Sequence, residues 1–599
     1  MILDPKTRLR LRRVVRTKKR QVSEASLETD KQLDRLILRR FGRLQNVRRF
    51  VVMWLLLIGL SVFGVFLQGR LLVPYYQEVR ATPGGTYREA VIGSYTNANP
   101  LYASGSVDNA VSKLVFSSLF TYDRYNQLVP DIAVEYEFDE TGLEYHVTIR
   151  DDVYWHDGKQ LTAADVAYTY QLIANPDARS PLFSAWSETT VEQVDDFVVR
   201  FELPSPFVAF PIALTNGIVP KHIVEDIPVR QLRSHVFNTV QPVGSGPFAL
   251  DTIEVSGTGD EREERLALRS HESYHRGKPN IDRFIVRTYQ SEGRALEAFA
   301  RGDVYAVSGI DSTEHDALDG VDFHEYKVTL AGQVGVFFKT SEPVFESRAV
   351  RRALVQMIDV EAVLSGLDGH VERSDSPLLP IHQGYDDEIV QLPYDPEAAI
   401  DRLEEAGWQR DDDDRWRNED DEPLAFSIVA ANVSDARIVT AQLQEQWHAQ
   451  GVGVEVALQD VGDMQQTIAN HDFVALLHAI SIGIDPDVYA FWHSSQAEVL
   501  ADNRLNFSDY SSTTADESLE SGRTRSDDEL RSVKYEPFLR QWRSDAPALM
   551  LYQPRFSYIT RAPIEGFSPK LMNAGTDRML TAHEWYIRQS RVERLADEY

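Results

Sequence analysis

The chain has 599 residues, of which 43% are hydrophobic and 10% aromatic, so general disorder is excluded and several domains are possible. It contains no cysteine, which excludes disulfides, thiolate metal sites, cysteine nucleophiles and a lipidated cysteine. Residues 1–50 carry 16 Lys and Arg against 5 Asp and Glu, so within the total net charge of −30 the remainder has −41. That acidic remainder argues against nucleic acid as a partner, because phosphates would be repelled.

Residues 50–67 form an uncharged apolar run that is long enough to span a bilayer. The basic flank before it predicts a cytoplasmic N-terminus and an extracellular acidic part, by the positive-inside rule. A cleaved signal peptide is the rival interpretation, but its n-region is short, whereas residues 1–49 precede this run. A buried core helix is the other alternative. The sequence therefore favours an uncleaved signal anchor at residues 50–73 in the plasma membrane.

The basic tail, residues 1–49, has a run of Lys and Arg at 8–20 and a predicted helix at about 26–49. This helix would lie on anionic lipid or contact a partner. A positive tail that only sets the membrane topology is an equally good interpretation.

The chain after the apolar run begins with a polar linker at residues 74–85. The pattern then predicts a strand at 88–92, a loop at 97–101 and a helix on an apolar stripe at 111–119.

Residues 143–170 combine three structural signals. Tyr145, Val147 and Ile149 alternate with polar residues, which predicts a strand with one buried face. Asp157-Gly158 is a turn dipeptide. Thr162 stands three residues before Asp165, which is typical of a capping box that opens a helix. The stretch is predicted to be a strand, a tight turn and a helix.

Later elements are predicted from the same signals. Residues 295–299 indicate a helix that stops at Gly302, and residues 345–359 an amphipathic helix. Asp395 is a predicted N-cap before Pro396 at the first helical position. The apolar segment 545–552 predicts a buried strand.

Several ordered motifs resemble one known family. They are Ile149-Arg150 through Trp155-His156-Asp157-Gly158 to Leu161-Thr162-Ala163-Ala164-Asp165-Val166, then PVGSGPF at 242–248, SYHRGKP at 273–279 and FESRAVRRALVQMID at 345–359. In this order they resemble the solute-binding proteins, family 5, that serve peptide and nickel ABC importers. The resemblance covers about residues 86–586.

The resemblance implies an α/β fold of the two-lobed, periplasmic-binding-protein-like type II class with an extra subdomain, here preceded by one transmembrane helix. It implies that the protein captures peptides or a similar small solute between its lobes and delivers them to the permease subunits of an ABC transporter. The domain boundaries predicted from it are lobe I at 86–289 with a return at 546–591, the subdomain at 119–190, lobe II at 290–545, and a C-terminal tail at 592–599.

The resemblance also implies which segments hold the ligand. When the prolines of this sequence are matched to those of the family, the ligand-binding segments are Ser104-Gly105-Ser106, His478-Ala479-Ile480-Ser481 and Asp485. Peptide binders of the family commonly carry an acidic residue shortly before the Asp-Pro pair, and this acid binds the peptide amino terminus. In this sequence Ile482 stands near the matching position, so the acid is missing. Asp485 or Asp487 would have to substitute for it.

Two other functions stay open. His271-Glu272-Ser273-Tyr274-His275 is a literal H-E-x-x-H, the motif of a zinc metallopeptidase, but the glycine and proline that follow at Gly277 and Pro279 leave no room for the helix it needs. We therefore predict no catalytic residues, no metal site and no cofactor. A ligand sensor or interaction module of the same fold, without transport, is the second alternative.

Overall fold

The computed structural model describes residues 48–310, 315–367, 371–498 and 504–593. The basic run at 8–20 and nearly all of the predicted helix at 26–49 lie outside these ranges.

Of the described residues, 48–80 and 589–593 belong to one of two compact units. Its described part holds the helix Arg48–Tyr76 and a two-stranded sheet. Within the helix, Phe50–Gln68 has a mean hydropathy of 2.7 and no buried portion. By length and composition this segment is able to cross a membrane, which is compatible with the predicted signal anchor.

The other unit, residues 81–588, contains most of the regular structure. In chain order the strands of both units are β1 Gln77–Thr82, β2 Thr86–Ile92, β3 Phe120–Tyr122, β4 Leu128–Pro130, β5 Ala133–Phe138, β6 Glu144–Ile149, β7 Thr190–Gln193, β8 Val198–Glu202, β9 Phe248–Ser256, β10 Glu263–Ser270, β11 Arg283–Tyr289, β12 Ala306–Ser308, β13 His324–Leu330, β14 Gly332–Phe338, β15 Gln409–Arg410, β16 Trp416–Arg417, β17 Ala425–Ala431, β18 Gly453–Gln459, β19 Ala475–Ser481, β20 Ala548–Tyr552, β21 Arg555–Thr560, β22 Leu571–Met572 and β23 Arg588–Glu593. Strands β1 and β23 form the two-stranded sheet of the first unit.

The α-helices of this unit connect and cover the sheets. They are Ser106–Val115, Ala163–Ile173, Phe183–Trp186, Phe210–Ala213, Lys221–Val224, Val229–Leu232, Val236–Thr239, Glu292–Arg301, Pro343–Glu346, Arg348–Gln356, Val360–Ser365, Pro396–Glu405, Ser434–Ala449, Val461–Asn470, Tyr489–Trp492, Thr513–Arg523 and Asp528–Asp545. Short 3₁₀ helices lie at Pro176–Ala178, Gly259–Glu261, His315–Leu318, Ser494–Ala497 and Gly575–Glu584.

An eight-stranded mixed sheet organises the first part of this unit, in the order β22-β13-β21-β12-β2-β11-β10-β9. A four-stranded antiparallel sheet, β5-β6-β8-β7, packs against the same continuous hydrophobic core. We call the part of the chain built around this core the first lobe. The four-stranded sheet overlaps the predicted subdomain at 119–190, and its strand β8 ends at Glu202, beyond that limit.

A five-stranded sheet, β18-β17-β19-β14-β20, organises the second lobe. It has a hydrophobic core on each face: in β14, Val336 and Phe338 belong to one core and Phe337 to the other. Every residue of β14 and β20 is buried. This two-sided burial explains why residues 548–552 are a continuous apolar run.

The chain changes lobes at places that differ from the predicted boundaries. It enters the second lobe between β13 and β14 and returns between β20 and β21. Strands β12 and β13, which fall in predicted lobe II, belong to the first sheet, and β20, which falls in the predicted return, belongs to the second. Strand partners are far apart in sequence, so local patterns do not reveal which sheet a strand joins.

The structure agrees with the local predictions that rest on a helix cap or on hydrophobic periodicity. The helix Ala163–Ile173 begins at Thr162, whose backbone N–H is bonded by the Asp165 side chain at 2.9 Å. Asp395 caps Pro396–Glu405 through the Ala398 N–H at 3.0 Å. The helix predicted at 111–119 instead spans Ser106–Val115, because the chain is extended at Phe116.

Candidate functional site

A cavity of about 350 Å³ lies between the two lobes. The second lobe contributes Ser481, Ile482 and Gly483, at and just after the end of β19. The first lobe contributes most of the polar lining: Asn109, Ser112, Lys113, Ser118, Thr121, Tyr122, Thr215, Asn216, Asn573 and Asp577.

The helix Ser106–Val115 carries Lys113 to the cavity. Its other faces are buried in the first lobe, and its residue Asp108 accepts hydrogen bonds from the backbone N–H groups of Thr96 at 2.7 Å and Asn97 at 3.1 Å. These bonds fix the loop that leads to Pro100, which also lines the cavity. The position of Lys113 is therefore set by both the packing of its helix and the preceding loop.

Lys113 forms an ion pair with Asp577, which stands at the start of the 3₁₀ helix Gly575–Glu584. Asp577 also accepts hydrogen bonds from the backbone N–H groups of Asn573 at 3.1 Å and Ala574 at 2.8 Å. Its side chain is 8% exposed, whereas that of Lys113 is 27% exposed. The pair therefore presents its cation, more than its anion, to the cavity.

The residue after Asp577 is buried in a second ion pair. Arg578 bonds Glu89 of β2, and it donates to Ser308 Oγ at 2.9 Å. Glu89 also accepts from the Tyr558 hydroxyl at 2.7 Å. Because an unpaired charge in a core is costly, this network holds the start of the 3₁₀ helix in place and with it Asp577.

The Tyr122 hydroxyl is the remaining ionisable group of the lining. Burial raises the pKa of Tyr122 above its ordinary value, and the nearby charge of Asp577 raises it further. The phenol is therefore neutral at physiological pH and is able to donate or accept a hydrogen bond.

The second-lobe wall begins at the end of strand β19, where the strand has one neighbour instead of two. Strand β19 pairs with β14 along residues 475–481, but with β17 only at Ala475, Leu476 and Leu477. On the β17 side, residues 478–481 are therefore without a neighbouring strand in the described part of the chain. Ser481 Oγ reaches across to the Asn573 carbonyl of the first lobe at 3.4 Å.

The two acids considered as substitutes for the missing acid are both ion-paired. Asp485 accepts two hydrogen bonds from the guanidinium of Arg531, at 2.7 and 2.5 Å, and Arg531 is 4% exposed. Asp487 lies 3.2 Å from Arg523. Neither carboxylate lines the cavity.

The predicted site residues have different positions in the structure. Ser481 lines the cavity, whereas Ser104, Gly105 and Ser106 are exposed at the start of the helix, one turn before Asn109. The other four are not part of the lining: His478, Ala479, Ile480 and Asp485. His478 packs its ring 5.4 Å from Phe507, and burial lowers its pKa to about 4.

Sequence reasoning missed Lys113, Tyr122, Asn216 and Asp577. The sequence contains one signal for Lys113, because it is a lone basic residue within a helix that is otherwise largely buried. Asp577 left none, because its partner is 464 residues away in the chain.

The H-E-x-x-H segment does not have zincin geometry. Residues 271–275 form turns rather than a helix, so the two histidines do not share one face. His271 Nδ1 lies 3.2 Å from the Gly246 carbonyl, and His275 Nε2 lies 2.8 Å from Asp131. Glu272 is paired with Lys278 at 2.8 Å. These residues hold the turn in the first lobe.

Comparison with known proteins agrees with this geometry. Residues 127–499 match the family model described as bacterial extracellular solute-binding proteins, family 5 middle. The oligopeptide-binding protein AppA of Bacillus subtilis is 26% identical over 494 residues, which cover 81% of this chain and 89% of AppA. The structure of AppA in complex with a nonapeptide matches with a TM-score of 0.70 over 85% of this chain and all of the other, at 24% identity. NikZ of Campylobacter jejuni in complex with Ni(L-His) matches with a TM-score of 0.71 and 25% identity, over 84% of this chain and 99% of NikZ.

Proposed function

Because the chain belongs to the bacterial extracellular solute-binding proteins of family 5, we propose that it is the membrane-anchored, substrate-binding component of an ABC importer. In this proposal it captures short peptides, or a similarly small solute, and delivers them to the permease subunits. The observation that carries the proposal is the polar cavity lined by residues of both lobes. A site of this kind binds its ligand when the lobes are together and releases it when they separate.

The size of the cavity favours a short cargo. Its volume of about 350 Å³ is at the low end of the range of roughly 300 to 1,000 Å³ that is typical of small-molecule sites. The relatives bind cargo of different size, since AppA holds a nonapeptide and NikZ a nickel–histidine complex. We therefore propose that a peptide cargo here has only a few residues.

The predicted contacts of β19 remain part of the proposal. Among the described residues, no strand pairs with 478–481 on the β17 side, so an extended peptide would be able to add there by backbone hydrogen bonds. Ser481 would face the cargo directly. Ser104, Gly105 and Ser106 would contact it only if it extended along the helix start beyond Asn109, and Asp485 would act indirectly by holding Arg531.

Anchoring by residues 50–73 is the second part of the proposal. The apolar helix segment Phe50–Gln68 and the net charge of +11 on residues 1–50 support a cytoplasmic N-terminus and an extracellular binding domain. Labelling of single-cysteine variants in intact cells tests this. A cysteine at Ser184 should react with an impermeant maleimide, whereas one at Ser23 should not, and the reverse pattern would overturn the topology.

The proposed cargo is tested by mass spectrometry of material released from the full-length protein purified in detergent. Wild type is expected to release short peptides. Ser481→Trp, which places an indole in the cavity, is expected to release at least tenfold less. Identical material from both proteins would show that it is bound outside the cleft, and a non-peptide solute released only by wild type would keep the site and change the cargo.

A further inference from the structure

We infer, resting on the proposed function, that the cleft recognises a carboxylate of its cargo through Lys113 and does not require a free amino group. Cargo with a blocked amino terminus would then bind as well as cargo with a free one. The inference follows from which charged groups in the cleft still have unused hydrogen-bonding capacity.

Lys113 is the charged donor that the cavity offers. Its ammonium has three N–H bonds, and Asp577 is its one hydrogen-bond partner among the described residues. The side chain is 27% exposed while it lines the cavity. Two N–H bonds are therefore available to an acceptor that enters from the cavity.

Asp577 is poorly suited to bind an ammonium group of the cargo. It already accepts three hydrogen bonds, from Lys113, the Asn573 N–H and the Ala574 N–H, and a carboxylate has about four acceptor sites. Its side chain is 8% exposed. An incoming ammonium would have to displace Lys113 and leave that cation without its partner.

No other acid is available in the lining. Among the cavity-lining residues that the structure describes, Asp577 is the one carboxylate. On the opposite wall, Asp485 is bonded by both arms of the Arg531 guanidinium and Asp487 is paired with Arg523. An ammonium group in this cavity would lose its hydration without gaining a carboxylate, which is unfavourable.

A carboxylate of the cargo would find unused hydrogen-bond donors in the cavity, whereas an ammonium group would find no free acceptor carboxylate among the described lining residues. The carboxylate would gain a charge-assisted hydrogen bond from Lys113, and the neutral Tyr122 hydroxyl would be able to donate a second one. Asp577 is then a positioning residue, because it holds the Lys113 ammonium at the cavity surface. The polar amide and hydroxyl groups of the lining suit the remaining, uncharged part of the cargo.

The test uses three pools of random tripeptides: free, N-acetylated and C-amidated. Each is incubated with the full-length protein in detergent, and the retained peptide is measured by mass spectrometry after gel filtration. We expect the free and N-acetylated pools to be retained to within about twofold of each other. The amidated pool should be retained roughly 10- to 100-fold less, the range expected for loss of a hydrogen bond to a charged group.

Variants assign the effect to Lys113. Lys113→Met should lower retention of the free pool to the level of the amidated pool, Lys113→Arg should restore much of it, and Lys159→Met, at an exposed turn, should change nothing. Asp577→Asn separates the two charges: any change in retention should be the same for the free and the N-acetylated pools, because neither pool uses the Asp577 carboxylate as a partner for an ammonium group. Thermal melting of each variant checks that it is folded.

The outcomes separate the two proposals. Preference for a free amino terminus, or a loss on Asp577→Asn that is confined to the free pool and spares the N-acetylated pool, would overturn the carboxylate inference and leave peptide binding intact. Failure of wild type to retain any pool would overturn peptide binding and the inference with it.

Discussion

The two walls of the cleft differ in the kind of group they offer. The first lobe presents a charged pair, Lys113 and Asp577, at the cavity surface, above the fully buried pair of Glu89 and Arg578. The second lobe holds Asp485 and Asp487 in ion pairs outside the cavity lining and contributes the end of β19 instead. In the proposed function, charge recognition and backbone recognition would belong to different lobes, so a cargo would satisfy both only when the lobes are together.

The strongest test of the first wall is to remove the buried charge beneath it. Arg578→Met would leave Glu89, which is 0% exposed, with the Tyr558 hydroxyl as its one hydrogen-bond partner in the part of the chain that the structure describes. We expect a loss of about 3–5 kcal/mol in the free energy of unfolding, as for other broken buried ion pairs. Thermal and denaturant unfolding of the variant measure this loss.

A matched control is Arg540→Met on the surface of the second lobe. Arg540 pairs with Glu536 one helical turn away, and both side chains are about half exposed or more. A pair of this kind contributes about 0.3–0.5 kcal/mol. Equal losses in the two variants would show that the pair under the first wall is not a structural support.

The second wall is tested at Arg531. Arg531→Met would leave the Asp485 carboxylate, 18% exposed, without its two hydrogen bonds. We expect a loss of about 3 kcal/mol, which is smaller than in the first lobe because water reaches Asp485. The double variant Asp485→Asn with Arg531→Met should recover part of the loss, since no charge is then left unpaired; a double variant that is less stable than the single one would contradict this.

The sequence predicts the local structure within each lobe better than it predicts the site between the lobes. The capping box at Thr162 and the N-cap at Asp395 were predictable because each signal spans a few residues. The fold class followed from ordered motifs, and the comparisons bear it out. Lys113 and Asp577 meet only after the whole second lobe has been inserted between them, so no local pattern reveals the pair.

The same limit explains the lobe boundaries. Strand β12 is three residues long and lies between β2 and β21, so its sheet is set by partners far from it in sequence. Strand β20 is apolar enough for either sheet, and only its pairing with β14 places it in the second. The helices that precede these strands carry no information about that choice.

A pH titration should distinguish the lobes further. Burial, followed by the charge of Arg276, lowers the pKa of His583 in the first lobe to about 3, although Asp131 acts in the opposite direction. Protonation favours the unfolded chain, so the stabilising contribution is complete above about pH 6.5 and is lost as pH falls toward 3. At pH 5 the loss attributable to His583 is up to about 2 kcal/mol.

His583→Gln should flatten this dependence between pH 6.5 and 4, and denaturant unfolding at several pH values measures the slope. His478 of the second lobe has a pKa lowered to about 4, so His478→Gln should flatten the dependence almost as much above pH 4 and less below it. A stability of wild type that rises as pH falls through this window would refute the sign of the effect.

The smallest expected effect concerns a contact between the two lobes that lies outside the cavity lining. The Arg523 guanidinium of the second lobe lies 5.0 Å from the Phe207 ring of the first lobe and 4.2 Å from the Tyr489 ring of its own lobe. The Arg523 carbonyl also accepts a hydrogen bond from the Val208 N–H at 3.2 Å. Arg523→Ala keeps the backbone bond and removes the cation between the rings.

We expect Arg523→Ala to weaken cargo binding by about 0.5–1 kcal/mol, the usual magnitude of an exposed cation–π contact. Because neither ring lines the cavity, the loss should arise from a less stable closed form. Dissociation should therefore become faster, and small-angle scattering of the unliganded protein should show a larger radius of gyration. Phe207→Ala should reproduce both changes, since it removes the same contact from the other lobe. If dissociation accelerates for Arg523→Ala but not for Phe207→Ala, the effect arises within the second lobe, because Asp487 loses its partner Arg523. That result would show that the contact between Arg523 and Phe207 does not stabilise the closed form.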